Sequence, residues 1–130
     1  MNPKEFMKLL NEARELMTQE KYTEAIVILE NLKSSDKSNE SDFNYELVHQ
    51  LYQLDSNCKS AYHQQRILEI IKNLPIPNNS IKLEEIYKVL RVKENLDITE
   101  EILRREVELL ILRNLLNCKI EGDQLIFNDP

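Results

Sequence analysis

Apolar residues recur every three or four positions along most of this chain, which is the spacing of one face of an α-helix. The first such segment starts behind Asn2 and Pro3, residue types that suit a helix cap and a first helical turn. A second segment, residues 21–32, follows after a turn so short that the two helices must run antiparallel. The pattern therefore predicts a helical hairpin at the start of the chain.

A second hairpin is expected before residue 74. Residues 34–42 contain no apolar side chain and predict an exposed loop. Helical spacing returns at Phe43, and the Asp-Ser-Asn sequence at residues 55–57 predicts a break that divides this stretch into two helices. Because one hairpin cannot bury its apolar face alone, the two hairpins are expected to stack and to share a core with the rest of the chain.

Two prolines at positions 75 and 77 mark the clearest boundary, since proline ends a helix. The sequence therefore predicts a helical part at 1–74, a linker at 75–79 and a second part at 80–130. In that second part, residues 81–83 form a short strand or enter a helix directly, and a first helix covers 84–90. A long helix capped by Thr99 is then predicted from Glu100 to Leu116, apolar enough to lie in the centre of the core.

The only glycine of the chain, Gly122, follows that helix. It precedes Asp123 and is flanked by Cys-Lys-Ile and Leu-Ile-Phe, a pattern that predicts a tight β-hairpin because glycine accepts the positive φ of such turns. A helix that leads into a short hairpin is typical of the end of a winged helix. The expected fold is thus mostly α, with helical-hairpin repeats followed by a C-terminal winged helix that carries a small β-hairpin.

Composition narrows the class of protein. The longest apolar runs, residues 26–29 and 109–112, are far shorter than a bilayer span, and the first residues resemble neither a signal peptide nor a transit peptide. A cytoplasmic location without membrane contact is the expectation. Cys58 and Cys118 are too few for a disulfide framework, so both are expected to be reduced and partly buried thiols.

The residues do not assemble into a predicted catalytic centre. His49 and His63 fall on separate predicted helices and lack the spacing of paired metal ligands. A single glycine cannot build the phosphate-binding loops of nucleotide sites. We therefore expect no enzyme activity, no metal or other cofactor and no small-molecule substrate.

Charge separates the two remaining classes, nucleic-acid binding and protein binding. The net charge is −6, and residues 80–130 carry eight Lys and Arg against eleven Asp and Glu. A nucleic-acid surface usually has a basic face, and here Glu100, Glu101, Glu106 and Glu108 are interleaved with the arginines of the long helix. Nucleic-acid binding is the weaker alternative, and its candidate residues are Lys88, Arg91, Lys93, Arg104 and Arg105.

The terminal hairpin is the stronger candidate for a binding surface. Two short strands can leave an unpaired edge, to which another protein can add a strand. The competing interpretation is a hairpin with a structural role alone. The candidate partner-binding residues are Lys119, Glu121, Gly122, Gln124, Ile126 and Phe127.

Two resemblances accompany these patterns. Ala13, Tyr22, Ala25 and Leu29 match part of the tetratricopeptide (TPR) pattern, in which small residues let two helices approach closely. Residues 108–121, with an apolar helix end, a short turn and Lys119-Ile120-Glu121, are similar to the diagnostic stretch of the PCI module, and residues 81–90 are like its first winged-helix segment.

The PCI resemblance implies a scaffolding role. Modules of this family occur in subunits of the proteasome lid, the signalosome and translation initiation factor 3, where winged helices associate side by side. It implies other protein subunits or self-association as partners, with contacts through the strands at 118–121 and 125–127. This sequence departs from the family in having room for two hairpins only, in Asn114 where a small residue is usual, and in lacking a long helix after the wing, which would make it a minimal version.

Overall fold

The computed structural model describes residues 1–38 and 44–128. This part of the chain is mostly helical, with one small antiparallel sheet. It forms two compact units, Met1–Tyr62 and His63–Pro130. The helices are α1 (Pro3–Thr18), α2 (Tyr22–Lys37), α3 (Tyr45–Asn73), α4 (Leu83–Lys88) and α5 (Glu100–Leu112), and the strands are β1 (Ser80–Lys82), β2 (Cys118–Glu121) and β3 (Gln124–Phe127).

The predicted first hairpin is confirmed as α1 and α2. The Asn2 side chain accepts a hydrogen bond from the Glu5 amide at 2.8 Å, and Pro3 occupies the first turn, as the sequence predicts. Helix α1 ends where Glu20 adopts a φ of 60°, an unusual conformation for a residue other than glycine. The core of this unit is formed by Phe6, Leu10, Ala13, Ala25, Leu29, Leu32, Leu47, Leu51 and Cys58.

The predicted second hairpin is wrong, because α3 is one uninterrupted helix of 29 residues. The predicted break failed because the Asp55 carboxylate does not cap a helix. It accepts hydrogen bonds from Lys33 on α2 at 3.1 Å and pairs with Lys59 one turn ahead at 3.3 Å. A side chain held in tertiary ion pairs no longer competes with the helical backbone.

The predicted loop at 34–42 is also partly wrong, since α2 continues to Lys37. Residues 39–43, which include the rest of that predicted loop and the predicted start of a helix at Phe43, lie outside the described part of the chain. The predicted linker at 75–79 falls between the end of α3 and the start of β1. It contains a short 3₁₀ turn, Pro77–Asn79, while the two compact units divide within α3 itself.

The second unit combines a three-stranded sheet with α4, α5 and the last part of α3. Both alternatives for residues 81–83 are partly realised, because Ser80–Lys82 is a strand and Leu83 begins α4. Strand β3 is central and pairs antiparallel with β1 on one side and β2 on the other. A π-helical turn, Val89–Lys93, continues α4. The buried core consists of Ile67, Ile70, Ile71, Ile81, Ile86, Leu90, Ile98, Leu103, Val107, Leu110, Leu116, Cys118 and Leu125.

Helix α5 begins as predicted but ends four residues early. The Thr99 hydroxyl caps it by accepting a hydrogen bond from the Ile102 amide at 3.1 Å. At the other end Asn114 has a φ of 60°, and the Leu115 amide donates to the Leu110 carbonyl at 2.9 Å. This closing pattern with a left-handed residue terminates helices, and asparagine tolerates that conformation better than most side chains.

Candidate protein-interaction surface

The terminal hairpin forms as the sequence predicts, and two contacts fix its turn. Gly122 has a φ of 61° at the first turn position, which fits a two-residue type II′ turn. The Leu83 amide at the start of α4 donates to the Asp123 carbonyl at 2.8 Å. Arg104 of α5 donates to the Gly122 carbonyl at 2.9 Å. The hairpin is thus attached to both neighbouring helices through its turn.

The six candidate partner-binding residues occupy three different environments. Gly122 forms the turn. Lys119 and Glu121 lie exposed on β2, where their side chains form an ion pair at 3.0 Å. Gln124 and Ile126 are half-buried on β3, directly opposite Glu121 and Lys119, so these four side chains share the outer face of the sheet. Phe127 lies opposite buried Cys118 and packs against the core.

Only one strand of this hairpin has an open edge. Strand β3 lies between β1 and β2, so its backbone is paired on both sides. Strand β2 is the last strand of the sheet among the described residues and pairs with β3 alone. The backbone available for strand addition therefore belongs to Cys118–Glu121, whereas the predicted contacts at 125–127 would use side chains only.

Helix α5 exposes leucines that sequence analysis assigned to the core. Leu112 is 77% exposed, Leu109 is 37% exposed, and Leu115 just beyond the helix is 49% exposed. The prediction that this helix is central and buried holds for Leu103, Val107 and Leu110 but is wrong for Leu109 and Leu112. We call Leu109, Leu112 and Leu115 the leucine surface. The sequence holds no local signal for this surface, because the exposed Leu109 and Leu112 are three residues apart, as the buried Val107 and Leu110 are.

The candidate nucleic-acid residues are largely paired with acidic groups. Lys88 pairs with Glu84 at 3.4 Å, Arg91 with Asp97 at 3.5 Å, and Arg104 with Glu108 at 3.4 Å in addition to its contact with the hairpin turn. Arg105 contacts the Glu106 carboxylate at 3.3 Å. The fifth residue, Lys93, is exposed at the end of the π-helical turn. Such pairs reduce the positive potential that a phosphate backbone would meet.

A cleft beside the hairpin turn is lined mainly by acidic side chains. It measures about 340 Å³ and lies between the first turns of α4 and α5 and the turn of the hairpin. Arg104 is accompanied there by four carboxylate side chains, and two leucines complete the wall. The lining residues are Leu83, Glu84, Glu100, Glu101, Leu103, Arg104 and Asp123. A cleft with this balance of charge does not favour a phosphate group.

Glu106 is the one acidic residue of α5 that is fully buried. Sequence analysis counted it with Glu100, Glu101 and Glu108 among the carboxylates that a phosphate backbone would meet, and this is wrong for Glu106. One carboxylate oxygen accepts from the Gln64 amide of α3 at 3.0 Å, and the other accepts from Arg105. The Gln64 carbonyl in turn accepts from Arg113 at 2.6 Å. This polar network connects α3 with α5 and fixes the helix that bears the leucine surface.

The two cysteines belong to different cores, Cys58 to that of the first unit and Cys118 to that of the second. Both cysteines are free and buried, as predicted. Burial, and secondarily the charge of Asp55, raises the pKa of the Cys58 thiol to about 11, and burial raises the pKa of Cys118. Thiols of this kind are poor nucleophiles at neutral pH.

His49 and His63 both lie on α3, so their prediction on separate helices is wrong. The ring of His49 stacks on Tyr45 with centroids 6.1 Å apart. In the described part of the chain, no group of three or more His, Cys, Asp or Glu side chains is arranged to hold a metal ion. Nor is any helix there both long enough and apolar enough to cross a membrane.

Comparisons with known proteins leave the family of this chain open. No protein-family model, curated protein or solved structure matches it.

Proposed function

We propose that this chain is a non-enzymatic scaffold protein of the PCI type, whose C-terminal unit is a winged helix that binds other protein subunits. Support comes from the order of elements in that unit: strand β1, helices α4 and α5, then the hairpin of β2 and β3, with β3 between the other two strands. The α1–α2 hairpin supplies one TPR-like helical pair before it.

The observation that carries this proposal is the exposed face of α5. In winged helices that read DNA, the second helix of the helix-turn-helix motif presents basic and amide side chains to the groove. Here the corresponding helix exposes Leu109 and Leu112 beside glutamates, and its exposed arginines, Arg104 and Arg105, are paired with Glu108 and Glu106. Exposed leucines favour burial against another apolar surface, and each fully buried leucine side chain contributes about 1.5–3 kcal/mol. The occupant we propose is an apolar face of another protein subunit.

Electrostatics supports the same choice over nucleic acid. The unit already pairs Arg91, Arg104 and Arg105 with carboxylates. Binding to phosphates would have to break those contacts and to bring phosphates close to Glu100, Glu101 and Glu108. In the described part of the chain, no specific contact favours nucleic-acid binding as a second function. Nucleic-acid binding is therefore kept only as the alternative outcome of the test.

The leucine surface can be tested with a matched pair of substitutions. Leu112→Asp and Val92→Asp place the same charge on side chains that are 77% and 78% exposed in the same unit. A photo-cross-linking amino acid replaces Leu115 in the full chain, expressed in its native host. We expect cross-links to defined peptides of another protein subunit, which Leu112→Asp abolishes and Val92→Asp retains. Equal loss or equal retention in the two variants would overturn the assigned surface.

The alternative is tested on the same purified chain. Fluorescence anisotropy with duplex DNA and with RNA is measured at low and at high salt. We expect no salt-sensitive binding. Binding that weakens steeply with salt and is lost when Arg104 and Arg105 are replaced by glutamine would instead establish a nucleic-acid surface, because counterion release produces that dependence.

A further inference from the structure

The open edge of β2 has a directional pattern of backbone groups. Glu121 and Gln124 are opposite each other next to a two-residue turn, and the residues flanking such a turn exchange both of their backbone hydrogen bonds. Hydrogen-bonded and non-hydrogen-bonded pairs alternate along an antiparallel ladder. Lys119 and Glu121 therefore direct their backbone groups towards β3, and Cys118 and Ile120 direct theirs towards the open edge.

The side chains of β2 alternate between the exposed outer face of the sheet and the face that packs on the core. Lys119 and Glu121 are exposed on the outer face, and their ion pair keeps the two opposite charges side by side. Ile120 is half-buried and packs against the core of this unit, as buried Cys118 does. A strand added at this edge would thus meet one lysine and one glutamate on its outer face and an isoleucine on its inner face.

We propose that the strand added to β2 is β2 of a second copy of this chain, antiparallel, with Ile120 opposite Ile120 of the other copy. This inference rests on the proposed function and names the partner at the wing. In this register the two isoleucines exchange both backbone hydrogen bonds. Lys119 of each copy lies opposite Glu121 of the other, so two attractive cross-strand pairs form on the outer face.

Neighbouring two-fold registers lack this match. Centring the pair on Lys119 places two lysines directly opposite each other, and centring it on Glu121 does the same for two glutamates. Like charges in these positions are destabilising. Centring on Cys118 leaves Lys119 opposite Asn117, without an ion pair. The charge pattern of this four-residue strand therefore selects one self-pairing register.

The short edge sets the strength of the association. Stable interfaces bury about 1,200–2,000 Å² in total, more than an edge of four residues provides. A weak dimer whose population rises with concentration is expected, leaving the leucine surface free for another subunit. The outcome is a continuous six-stranded sheet, three strands from each copy.

Charge substitutions test the register. Sedimentation velocity is measured on the full chain from micromolar to millimolar concentration. Lys119→Glu alone and Glu121→Lys alone should each raise the dimer dissociation constant at least about tenfold, since both outer pairs become repulsive. The double variant Lys119→Glu/Glu121→Lys should restore self-association, and an equimolar mixture of the two single variants should form mixed dimers. Lys82→Glu on the other edge strand is the matched control and should leave the dimer unchanged.

The outcomes distinguish this inference from the proposed function. A chain that remains monomeric at every concentration overturns the β2 pairing, while the leucine surface is still judged by its own cross-links. Association that ignores the charges at 119 and 121 but is lost with Leu112→Asp overturns the β2 register and assigns self-association to the leucine surface. Circular dichroism of each variant establishes that it is folded, and rescue by the double variant separates charge pairing from a loss of structure.

Discussion

The buried pair of Glu106 and Gln64 offers the sharpest test of how α5 is held in place. The Glu106 carboxylate has no exposed surface and accepts a hydrogen bond from the Gln64 side chain at 3.0 Å. Glu106→Ala removes this acceptor and leaves a buried amide group without it. An unsatisfied buried polar group costs about 1–3 kcal/mol, and the lost packing of the side chain adds to that cost. We expect a loss of about 3 kcal/mol in the free energy of unfolding.

A double-mutant cycle isolates the interaction itself. Gln64→Ala should cost about 2 kcal/mol, because it removes a donor from a buried carboxylate and an acceptor from Arg113. The double variant should cost clearly less than the sum, since neither partner is then left unsatisfied by the absence of the other. We expect a coupling energy of at least about 1 kcal/mol, within the range measured for residues in one polar network.

Glu108→Ala is the matched control. It removes the same side chain from the same helix two positions away, where Glu108 is exposed and pairs with Arg104 at 3.4 Å. Exposed ion pairs contribute about 0–1 kcal/mol, so this variant should be nearly neutral. Equal losses for Glu106→Ala and Glu108→Ala would refute the assignment of Glu106 to a buried network.

The assay must separate the two compact units. Urea unfolding followed by far-ultraviolet circular dichroism gives the total change in stability, but the units need not unfold together. Amide hydrogen exchange of peptides from α5 therefore reports the unit that contains the network, and peptides from α1 serve as the internal reference. The reasoning about this network would be wrong if the losses in the cycle were additive. It would also be wrong if the substitutions increased hydrogen exchange more in α1 than in α5.

Three further predictions concern single positions. The pKa of the Cys58 thiol is about 11 in the folded state against an ordinary 9.0, so its contribution to the free energy of unfolding should be complete below pH 9 and fall by ~3 kcal/mol as the pH rises to 11. Cys58→Ala should lack this fall in urea titrations at increasing pH, and parallel curves for both proteins would contradict it. Glu20→Gly should raise the free energy of unfolding by ~1 kcal/mol, because Glu20 has a φ of 60° at the end of α1 and glycine adopts this conformation without strain. An unchanged or lower urea midpoint would contradict the strain. Gly122→Ala should cost ~1–2 kcal/mol through its φ of 61° alone, since an added Cβ would meet no atom within 4 Å; exchange in β2 and β3 measures this, and a neutral result would refute the turn assignment.

The ends of the elements show where local sequence was sufficient. Asn2 and Thr99 were identified as caps because their side chains can accept a hydrogen bond from the first turn, and both do so. Gly122 identified the hairpin because its turn requires a positive φ at one residue. These features depend on atoms within a few residues of each other. Short-range sterics and hydrogen bonds therefore make them readable from the chain.

The errors arose where a distant partner decided the outcome. Asp55 looked like part of a helix break, but Lys33 on another helix occupies its carboxylate, and α3 continues. Glu106 was counted with the other carboxylates that a phosphate would meet, but it is buried and accepts a hydrogen bond from the buried Gln64 side chain. For the candidate surface, the sequence found the hairpin but could not identify β3 as the central strand, because that depends on pairing with β1 about forty residues away.

By itself, the sequence determined the helical character of this chain, its helix caps, the glycine turn and the acidic balance of the C-terminal unit, because each follows from local backbone preference or from composition. Only the tertiary structure decided that α3 is continuous, that β2 alone of the hairpin keeps an open edge, and that Leu112 is exposed while Glu106 is buried. Both side chains belong to the same helix with one hydrophobic pattern. Which of its faces meets solvent is set by the elements packed against it, and no local pattern encodes their position.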